Sequence, residues 1–80
     1  MTLRLRRLSS RQLLQGLRGL GFDIVNIEGS HAKLRRVSPA GSQTLTVPLH
    51  DSLQPGTLVA IYRQVRRYVP EEEARPIFYR

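Results

Sequence analysis

Apolar positions change their spacing along this chain, and the changes mark its elements. Leu13, Leu14, Leu17 and Leu20 recur at helical steps, which predicts one buried stripe on a first helix. Ser9 opens that helix as a capping box with Gln12, and Leu8 with Leu13 forms the staple around it. Gly21 ends it as a C-cap glycine. Gly16 stands inside the helix at a cost of about 1 kcal/mol relative to alanine.

Beyond Gly21 the period shortens to two. Phe22 to Ile27 reads as a first strand, with Val25 and Ile27 as its inward pair. Gly29-Ser30 is a two-residue hairpin connection of the Gly-X kind. His31 to Val37 reads as a second strand and Gln43 to Leu49 as a third, stopped near Pro48. Ser38-Pro39-Ala40-Gly41-Ser42 between them is turn chemistry throughout. A loop from His50 to Gly56 leads to a second helix over Thr57 to Tyr68, with Leu58, Ile61, Tyr62 and Val65 on its inner face. Pro70 opens a last turn through Glu73, where acids suit a helix N-terminus. The tail from Arg75 to Arg80 has no evident role.

The order predicts an α+β fold of two layers, a three-stranded antiparallel sheet with two helices on one face. One domain over residues 1–80 is expected, its core within 9–68 and an acidic turn and tail over 69–80. Leu13, Leu17, Val25, Leu34, Val47, Ile61 and Val65 should share the core.

Alternation then assigns the open face of the sheet. Ala32 and Leu34 point to the helices, so His31, Lys33 and Arg35 point away. On the third strand Leu45, Val47 and Leu49 point inward, leaving Thr44, Thr46 and His50 outward. A turn centred near residue 40 sets Ala32 opposite Leu49, Leu34 opposite Val47 and His31 opposite His50. A slip of two residues would shift His50 by one pair and keep its face.

Charge narrows the partner. The net charge is +7, and twelve of the thirteen basic residues are arginine, whose planar fork grips phosphate. Residues 1–67 carry eleven basic and three acidic side chains, or +8, while residues 68–80 carry two basic and three acidic ones, or −1. A polyanion is the natural ligand. There is no cysteine, which is compatible with a reducing cytoplasm and excludes disulfides and thiolate metal sites. Two histidines and six scattered acids predict neither a metal site nor a cofactor. No apolar run approaches a membrane span, and Met1 to Leu8 has no continuous apolar stretch of the signal-peptide kind.

His31 is the candidate for chemistry. It is the first residue after a tight turn, so it is held at a strand end, and imidazole titrates nearest physiological pH of all side chains. A basic face with an imidazole suits RNA cleavage. RNA carries its own nucleophile, the 2′-hydroxyl, so a base, an acid and nearby cations suffice without a metal. His31 is the expected general acid or base, His50 a second candidate imidazole, and Ser30, Lys33 and Arg35 the expected RNA contacts. Ser30 is a poor nucleophile for His31, because strand neighbours face opposite ways.

Four segments together resemble a known family. Leu17-Arg18-Gly19-Leu20-Gly21-Phe22, Gly29-Ser30-His31, Thr46-Val47-Pro48-Leu49-His50 and Gly56-Thr57-Leu58 occur in an order and spacing similar to the HicA toxins of toxin–antitoxin systems. The resemblance implies a fold like a double-stranded RNA-binding domain and metal-independent cleavage of mRNA by the histidine of Gly-Ser-His. It also implies neutralisation by a HicB-type antitoxin covering the active face. A heterocomplex with that antitoxin and a homo-oligomer are the two assemblies left open. Asn26-Ile27-Glu28 departs from the pattern, because such toxins are often basic or polar there. The alternatives are a non-catalytic RNA-binding module of the same fold and a face used only for protein association.

Overall fold

The computed structural model describes residues 3–80; Met1 and Thr2, the start of the segment weighed as a signal peptide, lie outside the described residues. The element order is α1 (Ser10–Gly19), β1 (Asp23–Glu28), β2 (His31–Ser38), β3 (Gly41–Pro48), α2 (Pro55–Arg66) and α3 (Glu71–Phe78). The strands form one antiparallel sheet in the order β1-β2-β3. This is the expected α+β arrangement, consistent with the double-stranded RNA-binding-domain pattern, with α3 added.

Local signals build α1 as expected. The Ser9 hydroxyl accepts from the Gln12 N–H at 3.2 Å, and the Gln12 side chain accepts from the Ser9 N–H at 3.0 Å. At the other end the Phe22 N–H reaches the Leu17 carbonyl at 3.1 Å and the Gly21 N–H reaches the Arg18 carbonyl at 2.9 Å. That is a Schellman motif. It needs the left-handed backbone of Gly21, whose φ is 98°, and it leaves Phe22 buried in the core with Leu17.

One core joins the sheet to the helices. Leu13 and Leu17 of α1, Ala32 and Leu34 of β2, Leu45 and Val47 of β3, and Leu58, Ile61 and Val65 of α2 are all buried in it. Val25 is not, contrary to the alternation pattern: it is 46% exposed, and Ile27 is 54% exposed. A β-bulge lies between Ile24 and Asn26, so Val25 has no partner on β2 and the phase of the strand shifts there. Ile27 does pair with Ala32 on the helix side, but β1 is an edge strand that the helices leave largely uncovered.

The tail is an element in its own right. Pro70 precedes α3, Glu71, Glu72 and Glu73 occupy its first turn, and Ala74 and Phe78 are buried. Ile77 packs so closely on α1 that a Cβ at Gly16 would lie 2.7 Å from its Cγ2. Close helix approach is therefore what Gly16 supplies. Phe78 and Tyr79 each meet the Tyr62 ring edge-on, at 5.2 Å between centroids. Leu5 and Tyr79 form an antiparallel bridge, flanked by Arg4 N–H to the Arg80 carbonyl at 2.8 Å and Arg80 N–H to the Arg4 carbonyl at 2.9 Å.

Candidate active site

The two hairpins decide which side chains meet on the open face. In the first, Gly29 has φ 55° and Ser30 completes the connection, the geometry of a Gly-X turn. The Ser30 carbonyl accepts from the Leu49 N–H at 2.6 Å, which ties the turn to the chain leaving β3. In the second, only Pro39 and Ala40 lie outside the strands, and Ser38 pairs with Gly41. The Ser38 hydroxyl closes this turn, accepting from the Ala40 N–H at 3.2 Å and donating to the Gly41 carbonyl at 3.0 Å.

That tight closure corrects the predicted register by two residues. Ala32 pairs with Val47, Leu34 with Leu45, and His31 with Pro48 rather than His50. Faces are preserved and partners are not. His50 lies beyond the end of β3. Its backbone is bound instead by buried Ser10 of α1. The Ser10 hydroxyl accepts from the His50 N–H and has the Pro48 and His50 carbonyls at 2.7 and 2.8 Å as acceptors for its proton. The Ser10 N–H donates to the His50 carbonyl at 3.0 Å. His50 thus lines a groove beside α1 with Leu14, Ile24 and Leu49. The two histidines are not a cross-strand pair.

The open face itself consists of three rungs. Glu28, His31 and Pro48 share the first; Asn26, Lys33 and Thr46 the second; Asp23, Arg35 and Thr44 the third. His31, Lys33 and Arg35 are exposed, as alternation predicted, while Ala32 and Leu34 between them are wholly buried. The carboxylates sit on β1 and the neutral hydroxyls on β3. A polyanion lying over the cations is therefore repelled on the β1 side and not on the β3 side. Ser30 is exposed in the turn beside His31.

Other charged groups are placed differently. Arg36 faces the helix side, its guanidinium 5.5 Å from the Phe22 ring centroid and 3.4 Å from the Leu20 carbonyl. There it complements the C-terminal end of α1. Among the described residues no group of three or more His, Cys, Asp or Glu side chains could hold a metal ion. Among them, too, no helix is long and apolar enough to cross a membrane.

The apolar pattern ends the first strand at Ile27, one residue short of the partner of His31. Once β1 extends through Glu28, a two-residue turn at Gly29-Ser30 puts Glu28 opposite His31. The face as a whole offers an exposed imidazole, an adjacent carboxylate and two cations at strand spacing, which is equipment for proton transfer beside an anion.

No curated protein and no solved structure is matched by this chain. A family model described as HicA toxin of bacterial toxin–antitoxin matches residues 10–66, from the start of α1 to the end of α2. That span includes all three rungs of the open face. The chain belongs to the HicA family of toxins from toxin–antitoxin systems.

Proposed function

We propose that this toxin is a metal-independent endoribonuclease that cleaves mRNA in the cytoplasm and is neutralised by a HicB-type antitoxin. One observation carries the reading: His31 is exposed at the start of β2 on the same face as Lys33 and Arg35. An imidazole so placed exchanges a proton with the substrate while the two cations offset the charge that builds on the phosphorane. Ser30, exposed in the adjoining turn, is positioned to contact the RNA backbone. The strand of RNA lies along β2, its flanking phosphates toward the neutral hydroxyls of β3. Because the 2′-hydroxyl is the nucleophile, the product is a cyclic phosphate.

The test is cleavage of mRNA by the purified chain in EDTA, compared with His31→Ala. Wild type should cut and leave a 2′,3′-cyclic phosphate, a substrate with deoxyribose at the cut site should resist, and His31→Ala should be inert and non-toxic in cells. Full cleavage by His31→Ala would refute the assignment and favour a non-catalytic RNA-binding module. Co-expression with the HicB-type partner should block cleavage by wild type.

A further inference from the structure

We propose that Glu28 and His31 are the acid–base pair of this toxin, Glu28 removing the proton of the 2′-hydroxyl and His31 protonating the 5′-leaving oxygen. The inference rests on the ribonuclease reading of the same face and adds a second catalytic residue to it.

Transesterification of RNA moves two protons at two different oxygens, on opposite sides of the reacting phosphorus. One group takes a proton from the nucleophile and another gives one to the leaving group. Displacement of His50 beyond β3 removes it as the cross-strand partner of His31. Asp23 is two rungs away, opposite Arg35, and its carboxylate lies 3.8 Å from the Arg18 guanidinium. Glu28 stands on the same rung as His31, directly opposite it across the Gly29-Ser30 turn. Opposed residues of an antiparallel pair have Cβ atoms roughly 4.5–5.5 Å apart on one face. That spacing admits a phosphodiester between two side-chain tips.

The carboxylate is also available. Its one hydrogen-bond partner among the described residues is the Asn26 amide, which donates to Oε1 at 3.5 Å. No ion pair or hydrogen bond joins Glu28 to His31 or Lys33 among the described residues. The other charged groups on this face are Lys33 and Arg35 from β2 and Asp23 from β1, while β3 presents Pro48, Thr46 and Thr44.

The chemistry orders the roles. A carboxylic acid loses its proton at lower pH than an imidazolium. A carboxylate is therefore the natural proton acceptor of the two and an imidazolium the natural donor. The 2′-oxygen then attacks phosphorus as its proton passes to Glu28. The P–O5′ bond breaks as His31 gives its proton to O5′. A 2′,3′-cyclic phosphate and a 5′-hydroxyl leave, and proton exchange with water resets both groups. Lys33, one rung along, offsets the charge on the phosphorane and the repulsion of the phosphate by Glu28. A carboxylate beside the turn weakens phosphate binding, and here it also supplies the base.

The experiment compares wild type, Glu28→Gln and His31→Ala on two RNAs. One is an ordinary RNA with a single cut site. The other carries sulfur in place of the bridging 5′-oxygen, a leaving group that needs no proton. Glu28→Gln should lose about 10²-fold or more on both. His31→Ala should lose a similar factor on the oxygen substrate and recover most of it on the sulfur one. Removing Glu28 should abolish the rise of rate on the acid side of the pH profile, and removing His31 the fall on the alkaline side. Both side chains are exposed, so thermal melting should be unchanged. Cleavage by Glu28→Gln within about threefold of wild type, or faster, would overturn the pair while leaving His31 in place. Rescue of Glu28→Gln by the sulfur leaving group would overturn the assigned roles. A wild type that cuts neither RNA, or a fully active His31→Ala, would overturn the ribonuclease reading itself.

Discussion

The two faces of β2 divide the labour of this molecule residue by residue. Ala32 and Leu34 have no exposed surface, whereas His31, Lys33 and Arg35 stand in solvent. The buried pair fastens the sheet to the helices. The exposed trio is held in place by a backbone ladder on both sides and contributes little to packing. Neighbouring residues on one strand should therefore separate stability from activity almost completely.

The sharpest way to break that separation is to exchange the two kinds of substitution. Leu34→Ala should destabilise the chain by about 2–5 kcal/mol, through reduced burial and the cavity left behind. For a chain of 80 residues that is a large part of the total. Chemical denaturation should show it as an earlier midpoint. His31→Ala should change stability in the same measurement by less than about 0.5 kcal/mol while cleavage disappears. A large stability loss in His31→Ala would mean that the faces are not independent.

A smaller effect is expected where α3 meets α1. Gly16→Leu pushes a side chain into the space of Ile77 and should cost about 1–3 kcal/mol as overpacking. Ile77→Ala in the same chain should restore part of that loss, a coupling that a double-mutant cycle measures.

These elements differ in how plainly the sequence announces them. The capping box, the Schellman glycine and the faces of β2 and β3 were legible, because each depends on residues within a few positions of one another. The register of β2 on β3 was not. Residues 38–42 are all turn-formers, yet only Pro39 and Ala40 make the turn, and composition does not say how many of five will be used. Val25 misled for a similar reason, since one bulged residue reverses a period of two. Helix α3 was hidden by Pro76 within it and by partners far away in sequence, Gly16, Leu5 and Tyr62. Within the candidate site, the exposure of His31, Lys33 and Arg35 followed from alternation. The neighbour opposite His31 required the strand end at Glu28.

Weaker still should be the effects of single cations. Lys33→Ala or Arg35→Ala should flatten the log–log salt dependence of RNA binding by about 0.7 for each phosphate that is no longer neutralised. Thermal stability should not change. Unchanged slopes in both would move the phosphate track elsewhere, to the exposed Arg63, Arg66 and Arg67 on and after α2. Least affected should be His50→Ala, with cleavage within about threefold of wild type, because Ser10 grips the backbone of residue 50 and not its imidazole. A drop of about 10²-fold or more would return His50 to the chemistry despite its place beyond β3.

The bridge between Leu5 and Tyr79, with Arg4 and Arg80 exchanging backbone hydrogen bonds, makes the described chain nearly a closed loop. A short linker could join its ends without crossing the sheet, and new ends could be opened at Pro39-Ala40, an exposed turn far along the hairpin from His31. Such a circular permutant would keep every rung of the open face in register while placing any fused label at the opposite end of the hairpin from the candidate site.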